Sequence, residues 1–491
     1  MEYSLKKTIH FDASQILFYP LIGIVLGIVF IKFSFSITMG FIFAIFLIWI
    51  VYNYPEKTLF ILVPILPFWL EWEIKQLETI QIGHIEIIVF AVLAGFIIKS
   101  VLNKKVNLNR KIPLLLPFVI FIVINIIAFL LSPYHKFDIT KIFWELYKYI
   151  LSPLIYLVTF ISIKNIKYLK YSLILLFITS IIVSILGIFQ TITGENLNFF
   201  QTGISKSNMQ ILDEFYGLKR HFVPGTEIIR AHGTFLHSNA LAGYLAMTTS
   251  IFLGFLIKYK KKLIRLLLSL GIGIQSFALL LTFSRGGWLS FLSASLTIFL
   301  IGLKKKLFLV LIISGIIISI LILGLMPNYV LDRFGTISKS SDQIEVISRY
   351  ERWGAFFETV KNNPLFGTGY PFAEEFFNFS MPYGATPHNN YLYIAIMIGI
   401  PGLLIFFYIY IQCLKKLFHT IRNVNVNQTF VAGCALGILG AFISFGIHSM
   451  VEAILDVEQI AILFWFLVAI SMMLPNWNSE NRNSILTTQQ I

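Results

Sequence analysis

Apolar residues in this chain come in long blocks without a polar stripe, unlike the one-faced patterns of soluble helices and strands. Runs such as LLPFVIFIVINIIAFLL and YSLILLFITSIIVSILGIF contain no charged residue. A bilayer core about 30 Å thick is crossed by about 20 apolar residues in a helix. The blocks predict spans over 15–31, 33–52, 57–70, 82–98, 113–132, 142–162, 170–192, 238–257, 263–283, 286–302, 307–326, 389–414, 429–449 and 458–474. Hydrocarbon cannot satisfy backbone N–H and C=O groups, so blocks of this kind dictate a bundle of helices. The expected fold class is an all-α polytopic membrane protein with about 12–14 transmembrane helices.

Polar stretches divide the chain further. An N-terminal bundle covers 1–192, a first long loop 193–237, and central spans 238–326. A larger loop covers 327–388, C-terminal spans 389–475 and a tail 476–491. The first apolar run follows a mixed polar start with no cleavage site, as expected of an uncleaved span rather than a signal peptide.

Composition agrees: 57% of residues are hydrophobic and 13% charged, against roughly 25% charged in soluble domains. The net charge of +14 raises the question of nucleic acid, and its distribution answers it. Of 38 Lys and Arg, 23 lie in segments facing one side, including KYKKK and KKK. That is the positive-inside pattern, which places both termini in the cytoplasm and needs only lipid headgroups as partners. Both long loops then face outward. Cys413 and Cys434 lie at or inside spans and imply neither a disulfide framework nor metal-ligand spacing.

The candidate chemistry collects on the outward side. Arg230 opens RAHGTF, and a helix starting at Ser238 or Asn239 would aim its N–H groups the same way. Arg285 sits in SRGGW, a tight hairpin between two spans, where two glycines leave the guanidinium uncovered. Arginines beside a helix N-terminus are phosphate-binding hardware, although a single arginine at a span end also snorkels to headgroups. The first long loop has balanced charges, so an anion site must be made by a few specific arginines.

In the second loop, Tyr350, Trp353, Phe357 and Val360 recur at helical spacing, with Arg349 and Arg352 on other faces, before NNPLFGTG breaks the helix. The stretch TPHNN then meets the next span. Asn389 is the natural N-cap there, and His388 is either its neighbour or a general base. His232, His237, His448 and the carboxylates of Glu452 and Asp456 are competing candidates near the same face.

These residues resemble a family pattern. His388-Asn389, nine residues, Gly399, two residues, Gly402 and Leu403 is similar to the O-antigen ligases and related O-antigen polymerases. Upstream, Arg230-x-x-Gly233-Thr234-Phe235 with His237-Ser238-Asn239, Ser284-Arg285-Gly286-Gly287, and Arg352-Trp353 leading to Pro364-Leu365-Phe366-Gly367-x-Gly369 resemble the same family in order and sidedness. The resemblance covers about 225–405; the first two hundred residues match only as hydrophobic spans.

The resemblance implies a metal- and cofactor-independent enzyme of the bacterial inner membrane, similar to C-type glycosyltransferases. Its donor would be a glycan on a polyprenyl (undecaprenyl) diphosphate. Its acceptor would be lipid A–core or another glycan, with inversion at the anomeric carbon. Carried over by motif, Arg230, Arg285 and Arg352 would hold the diphosphate and His388 would serve the acceptor. His237, Asn239, Asn389, Arg349 and Glu452 stand as secondary candidates. Polymerase and protein O-glycosylating enzyme share these motifs. A lipid-linked glycan transporter is the competing class, and it would call for paired mid-membrane charges and broken spans. The sequence offers only Glu145 and Lys148 as a candidate pair, near the outer boundary.

Overall fold

The computed structural model describes residues 35–54, 57–68, 71–73, 81–102, 112–132, 139–163, 165–194, 228–235, 237–303, 353–369, 387–425 and 428–488. The spans expected at 15–31 and 307–326, most of both long loops, Arg349, Arg352 and the side chains of Glu145 and Lys148 lie outside the described residues.

The chain is helical as expected. The described helices are α1 (Phe35–Asn53), α2 (Leu59–Ile65), α3 (His84–Leu102), α4 (Leu115–Leu131), α5 (Ile139–Ser162), α6 (Ile166–Thr193), α7 (Ser238–Lys258), α8 (Lys262–Leu281) and α9 (Arg285–Gly302). There follow α10 (353–362), α11 (Asn390–Asn423), α12 (Thr429–His448), a 3₁₀ turn (Ile454–Asp456) and α13 (Glu458–Thr488). Seven of these are long and apolar enough to cross a membrane: α6, α7, α8, α9, α11, α12 and the 458–477 part of α13. Shorter apolar helical stretches occur in α1, α3, α4 and α5. The protein is a polytopic membrane protein.

Two details depart from the hydrophobic pattern. The block 57–70 forms only the seven-residue α2, with Pro64 inside it. At 1.5 Å per residue it is about 10 Å long, too short to span. Just beyond it, Glu71–Glu73 (β1) pairs antiparallel with Gln81–Gly83 (β2), a small hairpin in an otherwise helical bundle.

The bundle centres on α7, α12 and α13, which are buried along most of their length, whereas α8 and α9 keep broad apolar faces open, as lipid-facing helices do. The closest packing is between α7 and α12. Gly433 and Gly437 of α12 let its backbone reach α7, and Gly440 makes room for Ile298 of α9; a methyl on Gly254 would collide with Gly437 itself. Small residues are how helices associate where lipid removes the hydrophobic drive. α9 and α11 pack on α12, α11 also on α4 and α13, and α5 on α13. This arrangement gathers the starts of α7, α9 and α11 and the turn between α12 and α13 at one end of the bundle.

The α11 helix is broken inside. Gly399 has φ 75° and ψ 178°, outside helical space. The carbonyls freed by the break are taken by the connector at 364–369. Thr368 N donates to Ile396 O (2.7 Å), Gly369 N to Met397 O (3.1 Å), and Ile400 N returns to Pro364 O (2.8 Å). Gly367 (φ 64°) and Gly369 (φ 73°) supply the backbone the connector needs. Gly399 thus admits a loop, while a side chain on Gly402 would meet Ile398 of its own helix.

Candidate functional site

The Arg230 segment is pinned from two sides. Ala231 N donates to Leu281 O (2.8 Å), and Arg230 Nε donates to Thr282 O (2.8 Å), so the segment lies along the α8–α9 turn. From α6, the buried Gln190 donates to Gly233 O (2.8 Å) and accepts from Gly233 N (2.7 Å). Gly233 has φ 59° there, and the Thr234 hydroxyl donates to Pro67 O just past α2. His232 is buried, with Nδ1 at 3.1 Å from Phe235 O, and serves the loop rather than the site.

Ser284 caps α9 by accepting from Gly287 N (3.3 Å), which makes Arg285 the first helical residue. The α8–α9 hairpin expected at SRGGW is present, with Phe283 at φ 50° in its turn. A cation at a helix N-terminus opposes the helix dipole, and α9 has no acid in its first turn to offset it. α7 also begins without an acid; its cap is His237, whose Nδ1 accepts from Ala240 N (3.1 Å). Burial, with the nearby charges of His388 and Arg230, lowers the His237 pKa against the pull of Glu452 and Asp456, consistent with a neutral acceptor. Two helix starts and two arginines therefore crowd one region.

Asn389 caps α11, its Oδ1 accepting from Tyr391 N and Leu392 N (both 3.0 Å), as expected from the sequence. Its Nδ2 donates to Met450 O (3.1 Å), and Asn390 N donates to Ser449 O (2.8 Å), so the start of α11 is laced to the turn after α12. From α10, Trp353 Nε1 donates to Pro387 O (2.7 Å). Between these anchors His388 is held at φ 44°, a left-handed backbone uncommon for a residue with a side chain.

The result is a continuous hydrogen-bonded chain. Arg230 Nη2 donates to Asn239 Oδ1 (3.0 Å), and Asn239 Nδ2 donates to Glu452 Oε2 (2.7 Å). Glu452 Oε1 meets His388 Nδ1 at 2.9 Å. Burial pushes the Glu452 carboxyl up. The charge and hydrogen bond of His388, with the charges of His237 and His448, outweigh it and hold the group below the usual carboxylate range. The acid is thus ionised and gives His388 Nδ1 an acceptor. His388 Nε2 makes no hydrogen bond among the described residues. With Nδ1 donating to Glu452, Nε2 is the nitrogen left to accept a hydrogen bond.

The structure thus brings together Arg230, Asn239, Glu452 and His388, with His237 and Asn389 as caps. Arg285 is placed beside them through Gly286, which packs against Val451 and His448 of the same turn. Arg349 and Arg352 lie outside the described residues. Sequence reasoning missed three links: Glu452 as the histidine's partner, Gln190 as the clamp on Gly233, and the Trp353 indole on Pro387. A lone glutamine in the last turn of an apolar helix was the available signal for the second, because a buried amide must be satisfied. No group of three or more His, Cys, Asp or Glu placed to hold a metal occurs among the described residues.

Fold and site together define a membrane-embedded helical protein with a histidine–carboxylate–arginine cluster at one end of its bundle. Residues 270–407 match the family model described as O-antigen ligase, so this segment of the chain is similar to that family. The matched segment runs from within α8 to within α11 and contains Arg285 and His388; Arg230 and Glu452 lie outside it. No curated protein matches the chain. The family implies glycosyltransferase-like activity on a lipid-linked glycan donor and a glycan acceptor.

Proposed function

We propose that the protein is an inverting glycosyltransferase of the ligase type. It moves a glycan from a polyprenyl diphosphate to an acceptor hydroxyl on the extracytoplasmic side of the bacterial inner membrane. The observation that carries this reading is the chain from Arg230 through Asn239 and Glu452 to His388. It couples a phosphate-binding group to a base across two residues.

In the proposed reaction His388 Nε2 takes the proton of the acceptor hydroxyl as its oxygen attacks the anomeric carbon. The bond from that carbon to the diphosphate oxygen breaks, and the lipid diphosphate leaves with the electron pair. Glu452 stabilises the imidazolium that forms. Arg230 and Arg285, with the starts of α7 and α9, face the charge that grows on the leaving group, where stabilisation counts most. A general base contributes typically ~10²–10⁴-fold. The apolar groove between α10 and α11, about 830 Å³ and lined by Trp353, Phe357, Val360 and Leu403, begins at Asn389 and suits the prenyl chain.

The transporter reading draws on the broken α11, but the freed carbonyls there are satisfied by the connector at 364–369 rather than turned towards an ion path. Ligase is preferred to polymerase because the spacing from His388-Asn389 to Gly402-Leu403 fits in full.

The test is transfer by purified protein from a synthetic prenyl-diphosphate glycan to a panel of acceptors. His388→Ala and Arg285→Ala should abolish transfer while the protein remains folded and inserted. Normal turnover by both variants would refute the assignment. A single addition marks ligation and a ladder of products marks polymerisation.

A further inference from the structure

The groove between α10 and α11 has two unlike walls. α11 supplies Asn389, Tyr391 and Leu392 before its break and Ile400 and Leu403 after it. That wall is tied from behind. Asn389 Nδ2 donates to Met450 O (3.1 Å), the Tyr391 hydroxyl donates to Gly446 O (2.8 Å), and the Tyr391 ring stacks on Phe407 at 5.0 Å. The α10 wall presents Trp353, Phe357 and Val360, one face of a helix. Phe357 is 63% exposed, so the two walls leave about 830 Å³ between them instead of packing shut. No carboxylate lines the groove, and its one cation, Lys361, is exposed and paired with Glu358 (3.5 Å).

Trp353 serves the groove and the site at once. Its ring lines the groove, and its Nε1 donates to Pro387 O (2.7 Å). That carbonyl belongs to the peptide bond leading into His388, which is held at φ 44°. An indole has an apolar body and one polar handle, so it can touch hydrocarbon with its face while its N–H holds a carbonyl. A chain packed against the face removes the freedom of the ring to turn away from Pro387. The groove also starts in the right place, because Asn389 follows His388 directly. In the transfer proposed above, the prenyl chain is joined straight to the diphosphate. It is therefore the apolar part of the substrates that lies nearest the reacting carbon, whereas sugars separate any lipid of the acceptor from its hydroxyl.

We propose that Trp353 is the positioning residue through which the protein reads the donor's prenyl chain. The chain fills the groove, holds the indole on Pro387 O and so fixes His388 for the reaction. Contacts along Phe357 and Leu403 only retain the donor, and they count equally before and during reaction. Contact at Trp353 is converted into rate, because it completes the site only when the chain is present. A donor with a short chain then loses kcat as well as affinity. This inference rests on the transfer reaction proposed above.

The experiment is steady-state transfer by the full-length protein in lipid nanodiscs, with one glycan carried on geranyl, geranylgeranyl or undecaprenyl diphosphate. For the parent protein, kcat should fall about fivefold from undecaprenyl to geranyl, the worth of one neutral hydrogen bond, while the donor KM rises. Trp353→Phe should bring the undecaprenyl kcat down to the geranyl value and make kcat the same for all three donors, with KM still rising as the chain shortens. Phe357→Ser should raise the undecaprenyl KM and leave kcat and its dependence on chain length in place. A parent kcat that ignores chain length would overturn the proposal without any variant being made. So would a Trp353→Phe protein that keeps the dependence, a Phe357→Ser protein that loses it, or a kcat that follows the acceptor's lipid instead. Absence of transfer from all three donors would remove the transferase reading and this inference together, whereas transfer at a kcat indifferent to chain length would remove this inference alone.

Discussion

Glu452→Gln changes one atom and should disable the site through the orientation of its neighbours. Glu452 accepts from Asn239 Nδ2 (2.7 Å) and faces His388 Nδ1 (2.9 Å). A glutamine can accept at only one of these positions. Asn239 cannot flip to help, because its Oδ1 already accepts from Arg230 Nη2 (3.0 Å), and a flip would set donor against donor. The glutamine oxygen therefore faces Asn239 and its NH₂ faces His388 Nδ1. Nδ1 must then accept, the ring proton moves to Nε2, and the base towards the acceptor is lost. The comparable loss in serine-hydrolase triads, an Asp to Asn change behind the histidine, costs about 10⁴-fold in kcat, or about 5 kcal/mol. A loss of about 10³–10⁴-fold in kcat with little change in donor KM is expected in the purified transfer assay. Asn239→Asp added to Glu452→Gln should recover about 10–100-fold, since the aspartate accepts from both Arg230 and the glutamine NH₂ and lets the glutamine oxygen turn back to Nδ1. A Glu452→Gln enzyme within about tenfold of the parent, or a double variant no better than the single, would refute the relay.

Further outcomes follow from the same geometry. Gly399→Ala places a side chain at φ 75° and against the Leu365 carbonyl, and should cost at least about 2 kcal/mol, read as a lower thermal midpoint in detergent; an unchanged midpoint would contradict the assigned break. Trp353→Phe removes the bond to Pro387 O, worth about 1 kcal/mol, and should lower kcat about fivefold by loosening His388 while leaving overall stability nearly intact. Acid should destabilise the protein in two stages. His237 has a folded pKa below its ordinary 6.5, so its contribution is full above about pH 6.5 and declines as pH falls towards the folded value. Glu452 is likewise depressed from 4.5, so its contribution is complete above about pH 4.5 and is lost as pH falls through the folded value. Thermal midpoints of Glu452→Gln should keep the upper stage and lack the lower; a lower stage that persists would exclude Glu452 as its source.

The sequence made local features legible because local features leave local traces. Unbroken apolar blocks marked the spans, Asn389 its helix cap, SRGGW the α8–α9 hairpin, and NNPLFGTG a stiff connector. What it hid were pairings across the chain. Glu452 is 64 residues from His388, and Gln190 is 43 from Gly233. No periodicity records which side chains meet when helices pack, so Glu452 read as a rival to His388 rather than its partner. The break in α11 was obscured similarly. Gly399 in an apolar block looks like a packing glycine until the loop that fills the gap is seen. The block 57–70 was apolar enough to span, but its prolines leave only a short helix that braces the Arg230 segment through Pro67.

The connector at 364–369 and the indole of Trp353 together have a consequence for how this protein can change over evolution. Gly369 is fastened to α11 at Met397, and Pro387 is fastened to α10 at Trp353. The chain between 370 and 386 thus leaves and re-enters at two clamped points, and His388 begins immediately after the second. Insertions, deletions and substitutions within 370–386 do not need to move His388. That stretch is where a lineage can vary sequence and length while the start of α11 stays in place.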